Sequence, residues 1–343
     1  MYFDPVHPHI HVEYYVLTCS LSAINSPALG FQNSLERKVE VKRRETESIE
    51  GKKKKMSSVK MEVDRYLSRI GFEGPSGVPS LELLRSVHTC HLLSVPFEDL
   101  TVHSGGQVKL DLPVLYDKVV NQRRGGFCFE NNSLFYWLLT QLGFQVTVLS
   151  GQVKNSITSC YGPPFDHLII MVNLEGKRWL CDVGFGAAGF SAPLSLDTCG
   201  PQEQGHRVYR LRRIDDVHFL EWQKEENRGE DGDWTEIYKF TLEPRRLEDF
   251  TQMCQYHQSS PSSIFFCKSL CTVLRPGGRV SYIGRRLITT RFPSEATGGG
   301  LETTTRELED EEIPAVLAEN FGIVLQSPLI PKDDTITPPP VVY

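Results

Sequence analysis

Apolar side chains recur at helical spacing in the early part of the chain. Segments 61–70 and 80–93 place an apolar residue at every third or fourth position, and Ser80 stands directly before the second of them. Serine is a preferred N-cap because its hydroxyl accepts a hydrogen bond from an amide of the first helical turn. Together with segments 112–122 and 131–142, this pattern predicts four helices.

The period of the pattern changes from 3.6 to 2 after Gly143. Segments rich in β-branched residues then predict strands at 145–153, 167–174, 178–185, 207–213, 218–223, 237–242 and 279–289. Helices followed by strands are typical of an α+β fold, whereas a parallel sheet would need alternating strands and helices. A last helix is predicted over 309–320, before an extended Pro-rich end that begins at Pro328.

Residues 1–60 lack such a pattern. Charged residues dominate from Asn33 to Lys60, including the run Lys52 to Lys55, and a segment without an apolar face cannot join a core. We expect a disordered extension here. The alternating histidines from His7 to His11 are interpreted as part of this tail rather than as a metal site. No basic segment leads the short apolar stretch near the start, so a secretory signal is not expected.

The composition is that of a globular protein. Of 343 residues, 40% are hydrophobic and 23% are charged. No apolar run approaches the roughly 18 residues of a membrane-spanning helix. The net charge of −6 makes nucleic acid a poor candidate partner. Nine cysteines, an odd number without regular spacing, favour reduced thiols and a cytoplasmic protein.

Cys128 is the cysteine at which we expect chemistry. It follows Arg123, Arg124, Gly125 and Gly126 and stands at the start of a predicted helix. The helix dipole and the two arginines would stabilise its thiolate, which is the nucleophilic form. The glycines would permit a tight turn and a close approach of the backbone to a substrate. A buried, inert thiol is the alternative, and that interpretation is favoured for the other eight cysteines.

A nucleophilic cysteine needs a base within hydrogen-bond reach and a third group that orients the base. His167 opens one predicted strand and Asp182 lies in the next. If Glu175-Gly176 forms a two-residue turn, His167 is opposite Gly184 and shares a face with Asp182. A three-residue turn would put the two side chains on opposite faces of the sheet. In the alternative interpretation, His167 is an ordinary histidine of an edge strand and Asp182 is an ordinary turn residue before Gly184. The presence of both at these positions would then be a coincidence.

Five motifs in one order resemble those of the arylamine N-acetyltransferases. They are VPFEDL at 95–100, RGGFC at 124–128, DHL at 166–168, DVGFG at 182–186, and FTLEPR at 240–245 with EDF at 248–250. The separations, 39 residues from Cys128 to His167 and 15 from His167 to Asp182, also match the family's pattern. The resemblance runs from about Met61 to Thr335.

The resemblance implies an α+β fold with an N-terminal helical subdomain, a central antiparallel β-barrel and a C-terminal α/β lid, around a papain-like cysteine-enzyme core. We expect the helical subdomain at 61–143 to carry the catalytic cysteine. The barrel at 144–250 would carry the histidine and the aspartate, and the lid and tail would occupy 251–343.

The resemblance also implies a catalytic triad of Cys128, His167 and Asp182 and a ping-pong reaction used in xenobiotic metabolism. Acetyl-CoA would acetylate the cysteine, CoA would leave, and an arylamine, hydrazine or arylhydroxylamine would take the acetyl group. We expect no permanently bound cofactor, no metal, no nucleic-acid or membrane partner, and a monomer.

Binding residues follow from the family's motifs position by position. On the acceptor side these are Phe97, Val153, Phe185, and Asp166 beside the catalytic histidine. For CoA they are Pro163, Pro164, Tyr256, Ser262 and Thr335. The stretch between Asp182 and Thr241 lacks the insertion that many vertebrate members carry.

Other functions stay open at this point. A papain-like or transglutaminase-like hydrolase or cross-linker would use the same three residue types, although RGGFC matches the acetyltransferases better. A catalytically silent member of the fold would not need all three triad residues, and all three are present. The donor could also be another short acyl-CoA.

Overall fold

The structure, a computed structural model, describes residues 59–155, 159–223, 233–293 and 300–337. Within these ranges, helices come first, two antiparallel sheets follow, and a helix ends the fold. The predicted α+β class is thereby confirmed. No helix in the described ranges is long and apolar enough to cross a membrane. The extension expected at 1–60, with its histidines, lies outside the described residues apart from residues 59 and 60.

The first helices pack around the segment that carries Cys128. They are α1 (Val63–Arg69), α2 (Leu81–Ser94), α3 (Leu100–His103), α4 (Leu112–Tyr116, continued by a π-helical turn at Asp117–Asn121) and α5 (Cys128–Gln141). The predicted cap is present, since the Ser80 hydroxyl accepts a hydrogen bond from the Leu83 N–H at 3.1 Å.

Helix α5 begins three residues before the predicted 131–142. The extended Phe127 donates its N–H to the Glu130 carboxylate at 3.2 Å, and this hydrogen bond closes the first turn. Cys128 is therefore the first helical residue rather than a loop residue before the helix.

The strands form two antiparallel sheets. In chain order they are β1 (Phe97–Glu98), β2 (Gln145–Val153), β3 (His167–Leu174), β4 (Lys177–Cys181), β5 (Leu194–Ser195), β6 (Gln202–Gln204), β7 (Arg207–Ile214), β8 (Val217–Gln223), β9 (Trp234–Phe240), β10 (Leu270–Arg275), β11 (Gly278–Ile283), β12 (Arg286–Arg291) and β13 (Glu302–Glu307). The larger sheet has the spatial order β5-β4-β3-β2-β9-β8-β7-β6 and nearly closes into a barrel. The smaller sheet has the order β1-β10-β11-β12-β13.

Strand β3 is buried on both faces. Leu168 and Ile170 pack into the core shared with the helices, whereas Ile169 and Met171 pack into a second core with β7, β8 and β9. Successive side chains of a strand point to opposite faces, so burial on both sides requires the continuous apolar run seen in the sequence. This strand thus joins the helices to the barrel-like sheet.

The β3–β4 hairpin has the predicted two-residue turn. Leu174 pairs with Lys177, and Glu175 and Gly176 have φ angles of 50° and 75°. The prediction that the second strand runs over 178–185 is wrong at its end, because β4 stops at Cys181. Beyond that point the chain bonds to side chains: the Val183 N–H donates to Asn132 at 2.8 Å rather than to a strand.

The single strand predicted over 279–289 is also wrong. A turn at Gly284, with φ of 60°, divides this segment into β11 and β12. Strands β10 and β13 were not predicted, and the polar Glu302–Glu307 is exposed along its whole length. An edge strand that buries neither face carries no alternating pattern for sequence analysis to detect.

Three helices follow the barrel-like sheet. They are α6 (Thr251–Ser259), α7 (Ile264–Cys267) and α8 (Ile313–Phe321). Helix α8 begins four residues after the predicted start and ends before Gly322, whose left-handed φ of 67° is a common helix stop. Ile313 and Leu317 pack with Val273 and Tyr282 of the smaller sheet. The end predicted to be extended from Pro328 has no helix as far as residue 337.

Candidate active site

The β3–β4 hairpin brings His167 and Asp182 together. The His167 Nε2 atom lies 2.7 Å from the Asp182 Oδ2 atom, and the two residues are only 2% and 0% exposed. Strand pairing ends at Ile170 and Cys181, so His167 and Gly184 do not pair directly. His167 instead pairs with Gly151 on its other side. The buried pair leaves the second ring nitrogen of His167, Nδ1, for another partner.

Asp182 is held in its ionised form by its neighbours. Burial alone would raise the pKa of this carboxyl. The opposite charge of His167 and hydrogen bonds from His167, Asn132 and the Gly184 N–H outweigh burial, and the pKa lies below its ordinary value. A carboxylate beside the imidazole fixes the orientation of the ring and stabilises its protonated form.

Asn132 links this pair to helix α5. Its amide nitrogen donates to Asp182 Oδ1 at 2.8 Å and to the Leu168 carbonyl at 2.7 Å. Its amide oxygen accepts the Val183 N–H at 2.8 Å. Sequence analysis missed Asn132, although a polar residue four positions after Cys128 lies on the same helical face.

Cys128 is buried, 3% exposed, at the start of α5. A Cβ atom built on Gly184 would lie 2.8 Å from Cys128 Cα and 2.7 Å from the Asn132 side-chain nitrogen. The loop after β4 therefore packs directly on the backbone of the cysteine. The structure brings Cys128 and Asp182 into one site through this contact and through Asn132.

Burial raises the pKa of the Cys128 thiol well above its ordinary value, and the carboxylates of Asp166 and Asp182 add to this. A hydrogen bond from the Leu168 amide lowers the pKa but does not outweigh burial. A lone thiolate is therefore costly here, contrary to the expectation that it is stabilised before substrate arrives. Ionisation of the thiol requires a base to take its proton.

The expected contribution of Arg124 to the thiolate is also wrong. Its guanidinium forms a buried fork with Glu98, with two N–O distances of 2.9 Å. Arg123 has an exposed side chain, and its carbonyl accepts a hydrogen bond from Arg69 at 3.2 Å. The arginine that precedes the Gly-Gly turn therefore holds the turn in place rather than ionising the thiol.

The two glycines are needed for packing within the chain. A Cβ on Gly125 would lie 1.8 Å from the Pro96 carbonyl oxygen, and one on Gly126 would lie 2.4 Å from Glu130 Cβ. The close approach expected toward a substrate is instead made to the protein's own backbone and side chains. Lys118, 2.7 Å from Glu130 and 3.6 Å from Glu98, completes this buried charge network.

His88 supports the aspartate from the opposite side. Its Nε2 atom accepts the Asp182 N–H at 3.2 Å, and its Nδ1 atom lies 3.3 Å from the Ser191 carbonyl oxygen. The ring stacks on Phe190 with centroids 5.7 Å apart. Burial lowers the pKa of His88 to about 4, so it stays neutral and keeps Nε2 as an acceptor. No sequence motif pointed to this residue.

Of the residues expected on the acceptor side, Phe185 lies against His167. The Phe185 ring centroid is 5.0 Å from that of His167, and Val153 is half-buried in the same core as Phe185. Phe97 packs beside the next residue, since its ring would be 2.9 Å from a Cβ on Gly186. Tyr238, which was not predicted, contacts His167 with centroids 5.3 Å apart.

Asp166 turns away from the base beside it. Its Oδ2 atom accepts the Val153 N–H at 3.1 Å, and its Oδ1 atom lies 3.3 Å from His257 Nε2. His257 follows Tyr256 on α6, so Asp166 connects α6 to the loop that contains Pro163 and Pro164.

The remaining residues expected at CoA lie along the chain segments around α6 and α7. The Ser262 N–H donates to the Ser260 hydroxyl at 3.2 Å, within the loop between these helices. The Thr337 N–H donates to the Pro261 carbonyl at 2.9 Å, which places the tail containing the exposed Thr335 beside that loop. Among the described residues there is no group of three or more His, Cys, Asp and Glu side chains suited to a metal ion.

Comparisons with known proteins agree with this arrangement. The family model described as N-acetyltransferase matches residues 80–330. Arylamine N-acetyltransferase 1 of Homo sapiens is 35% identical over 284 residues, covering 79% of this chain and 97% of that protein. Arylamine N-acetyltransferase 2 of Mus musculus is 34% identical with the same coverage.

Solved structures are similar over the same region. The arylamine N-acetyltransferase of Mycobacterium marinum in complex with CoA has a TM-score of 0.67 and 30% identity. The match covers 76% of this chain and 93% of that structure. The helices and sheets of the described residues therefore share their fold with solved arylamine N-acetyltransferases. The chain belongs to the arylamine N-acetyltransferase family.

Proposed function

We propose that this acetyltransferase moves an acetyl group from acetyl-CoA to arylamines, hydrazines or arylhydroxylamines through a thioester on Cys128. The observation that carries the proposal is the buried His167–Asp182 pair, 2.7 Å apart. Asn132, one turn after Cys128 on α5, holds that pair. Family membership and the CoA complex of the M. marinum relative support the donor and the acceptor class.

The first half-reaction needs proton transfer before attack. The thiol gives its proton to His167, and Asp182 stabilises the resulting imidazolium. This stabilisation offsets the cost that burial adds to ionisation of the Cys128 thiol. The sulfur then attacks the thioester carbonyl of acetyl-CoA. The C–S bond to CoA breaks, the CoA sulfur takes the proton from His167, and the acetyl group stays on Cys128.

The second half-reaction reverses these roles. The amine nitrogen attacks the acetyl carbonyl, and His167 accepts the proton that the nitrogen loses. The bond between the carbonyl carbon and the Cys128 sulfur breaks, and His167 returns the proton to that sulfur. The first amides of a helix have no acceptor within the helix. Those at the start of α5 would stabilise the negative charge that develops on the acyl oxygen in both steps.

The proposal assigns binding roles to further residues. Phe97, Val153 and Phe185 would form the apolar walls for the aromatic acceptor. Asp166 would position the start of β3 through its hydrogen bond from Val153. The residues assigned to CoA are Pro163, Pro164, Tyr256, Ser262 and Thr335. The contacts of Asp166 with α6 and of Thr337 with Pro261 support their grouping in one region.

We extend the proposal to the setting of the enzyme. It would act in the cytoplasm as a monomer in xenobiotic metabolism, without a resident cofactor. Seven cysteines within the described ranges, Cys128 and Cys199 among them, are free thiols, which supports a reducing compartment. The division into a helical subdomain at 61–143, a barrel at 144–250 and a lid and tail at 251–343 is part of the same proposal.

Intact mass measurement after brief exposure to acetyl-CoA, without an amine, tests the proposal. We expect the wild type to gain about 42 Da, the mass of an acetyl group that replaces a hydrogen, and to lose it when an arylamine is added. Cys128→Ser should show no such adduct. Asp182→Asn should slow adduct formation about 10³-fold or more, because the imidazole loses its orienting carboxylate.

The controls decide between the alternatives. A variant of a free thiol away from the site, Cys199→Ser, should form the adduct at the wild-type rate. An adduct that persists in Cys128→Ser would contradict the assignment of the nucleophile. No adduct in the wild type, with amide hydrolysis in its place, would favour a papain-like enzyme.

A further inference from the structure

A buried histidine lies between the neighbours of the proposed nucleophile and of the proposed base. His257 is on α6, and only 6% of it is exposed. The residue after Cys128 is Phe129, whose ring centroid lies 5.7 Å from that of His257. The residue before His167 is Asp166, whose Oδ1 atom lies 3.3 Å from the His257 Nε2 atom. One imidazole therefore contacts both chain segments that must meet for acetyl transfer.

Both ring nitrogens of His257 have partners within the chain. Nε2 also lies 3.2 Å from the Asp166 carbonyl oxygen, so it faces two acceptors of one residue. Nδ1 lies 2.9 Å from the hydroxyl oxygen of the buried Ser263, and that oxygen accepts the Phe265 N–H at 3.2 Å. A neutral ring satisfies these contacts in one tautomer, in which Nε2–H donates to Asp166 and Nδ1 accepts the hydroxyl hydrogen of Ser263.

Asp166 is held on its other side by the barrel-like sheet. Its Oδ2 atom accepts the N–H of Val153, the last residue of β2, at 3.1 Å. A Cβ atom built on Gly162 would lie 2.3 Å from the same oxygen, so the loop before β3 packs closely on the carboxylate. His167 is the first residue of β3 and follows Asp166 directly. The contacts that hold Asp166 therefore also set the position of the catalytic imidazole.

Aromatic rings fix the position of the His257 ring. Its centroid lies 5.2 Å from that of Phe265 and 5.5 Å from that of Tyr256, in addition to the contact with Phe129. A ring that is packed against several others cannot move without them. An apolar side chain of similar size would fill most of the same space but would lack both hydrogen bonds. Substitution by leucine therefore separates the hydrogen bonds of His257 from its packing.

We propose that His257 is a positioning residue for acetyl transfer, which holds the neighbours of the thiol and of the imidazole so that these two groups can meet. This inference rests on the proposed function, because it concerns the same nucleophile and base. Proton transfer from Cys128 to His167 requires the two groups to be within hydrogen-bond reach. A displacement approaching 1 Å at a reacting centre costs about 10²-fold in rate. Since His257 does not touch the reacting atoms, its effect is on the rate of the reaction rather than on donor binding.

The test is the rate of acetyl adduct formation from acetyl-CoA, without an amine, in wild type, His257→Leu and His257→Gln. His257→Leu should lower the maximal rate about tenfold or more, because the base is no longer held in place. The acetyl-CoA concentration that gives half of the maximal rate should stay at the wild-type value. His257→Gln should recover most of the lost rate, because its amide can still donate to Asp166.

His103→Leu is the matched control. His103 is 7% exposed, and its Nε2 atom lies 3.0 Å from the Phe265 carbonyl oxygen, so it too is a buried histidine that holds α7. It makes this contact from α3, whereas His257 makes its contacts from α6. We expect His103→Leu to lose stability, measured by urea denaturation, as His257→Leu does, and to form the adduct at the wild-type rate.

A double-mutant cycle tests whether His257 acts through Asp166. Asp166→Ala removes the carboxylate that His257 contacts. The rate loss caused by His257→Leu should be smaller in the Asp166→Ala background than in the wild type, because the effects of residues in contact are not additive. Alkylation of Cys128 by iodoacetamide, followed by the mass of its peptide, repeats the comparison without acetyl transfer. His257→Leu should slow this alkylation too, since it also requires the imidazole to take the proton of the thiol.

The outcomes distinguish this inference from the proposed function. If the wild type forms no adduct, the proposed function fails, and slower alkylation in His257→Leu still supports the positioning role. Wild-type rates of acetylation and alkylation in His257→Leu would overturn that role. A higher half-saturating concentration of acetyl-CoA with an unchanged maximal rate would assign His257 to donor binding instead. Equal rate losses in His257→Leu and His103→Leu would show a purely structural role, and additive losses in the cycle would overturn the action through Asp166.

Discussion

Gly184→Ala tests whether the contact between the loop after β4 and the nucleophile's helix controls the rate of thiol acetylation. Gly184 has no positive φ angle, so alanine suits its backbone conformation. The obstacle is space alone. The new methyl group would lie 2.8 Å from Cys128 Cα, 3.0 Å from the Cys128 carbonyl oxygen and 2.7 Å from the Asn132 side-chain nitrogen.

The size of the effect follows from these distances. Ordinary contacts of a Cβ atom begin near 3.4 Å, so the loop and the helix must separate by about 0.6 Å. Two of the three obstructing atoms belong to the backbone, which cannot rotate away. Overpacking of this kind costs about 1–3 kcal/mol of stability. A displacement approaching 1 Å at a reacting centre costs about 10²-fold in rate.

The assay is the rate of acetyl adduct formation from acetyl-CoA, followed by intact mass, with urea denaturation to measure stability. We expect Gly184→Ala to form the adduct about 10²-fold more slowly while remaining folded. Gly189→Ala is the matched control, because a Cβ there makes only ordinary contacts, the nearest at 3.5 Å. Wild-type kinetics in Gly184→Ala, or an equal loss in Gly189→Ala, would refute the reasoning.

Two further predictions concern the groups that surround the triad. His88 has a pKa of about 4 in the folded protein and an ordinary value of 6.5, so the unfolded chain binds more protons between these values. The free energy of unfolding should therefore fall by up to about 3 kcal/mol as the pH falls through this window. Urea denaturation should show a smaller fall in His88→Gln than in the wild type. Equal falls in the two proteins would contradict the assignment of this pH dependence to His88. Arg124→Gln should cost about 3 kcal/mol of stability, because it leaves Glu98 buried and short of a partner. The exposed-pair variant Arg285→Gln should show no measurable change, and similar losses in both variants would contradict the importance of burial.

Sequence analysis predicted the elements whose physical signal is local. The Ser80 cap, the apolar faces of the early helices and the two strands around Glu175-Gly176 all depend on neighbouring residues. The register of that hairpin followed from the turn length as far as Cys181, and the chain directly beyond the paired region places Asp182 within hydrogen-bond distance of His167. These features need only short-range patterns of side chains.

The features that were missed depend on contacts between distant parts of the chain. Strand β4 ends early because Val183 donates to Asn132, 51 residues earlier, and no local pattern encodes that partner. Arg124 was expected to act on the thiol, but its partner Glu98 lies 26 residues before it. The cost of ionising Cys128 also depends on burial by the whole fold. The spacing of motifs along the sequence identified Arg124 and Cys128 as residues of interest. Their electrostatic roles depend on how the folded chain packs around them.

The short strand β1 has a consequence for the synthesis of this protein. Its residue Phe97 pairs with Gly126 of the cysteine turn on one side and with Thr272 of β10 on the other. All three proposed catalytic residues leave the ribosome long before β10 is made. A nascent chain that ends before β10 therefore has its nucleophile, base and orienting acid. It lacks β10, however, which is the strand that pairs with β1 beside the cysteine turn. We expect activity to arise only once synthesis has passed β10, so a stop codon there would abolish acetyl transfer without removing a catalytic side chain.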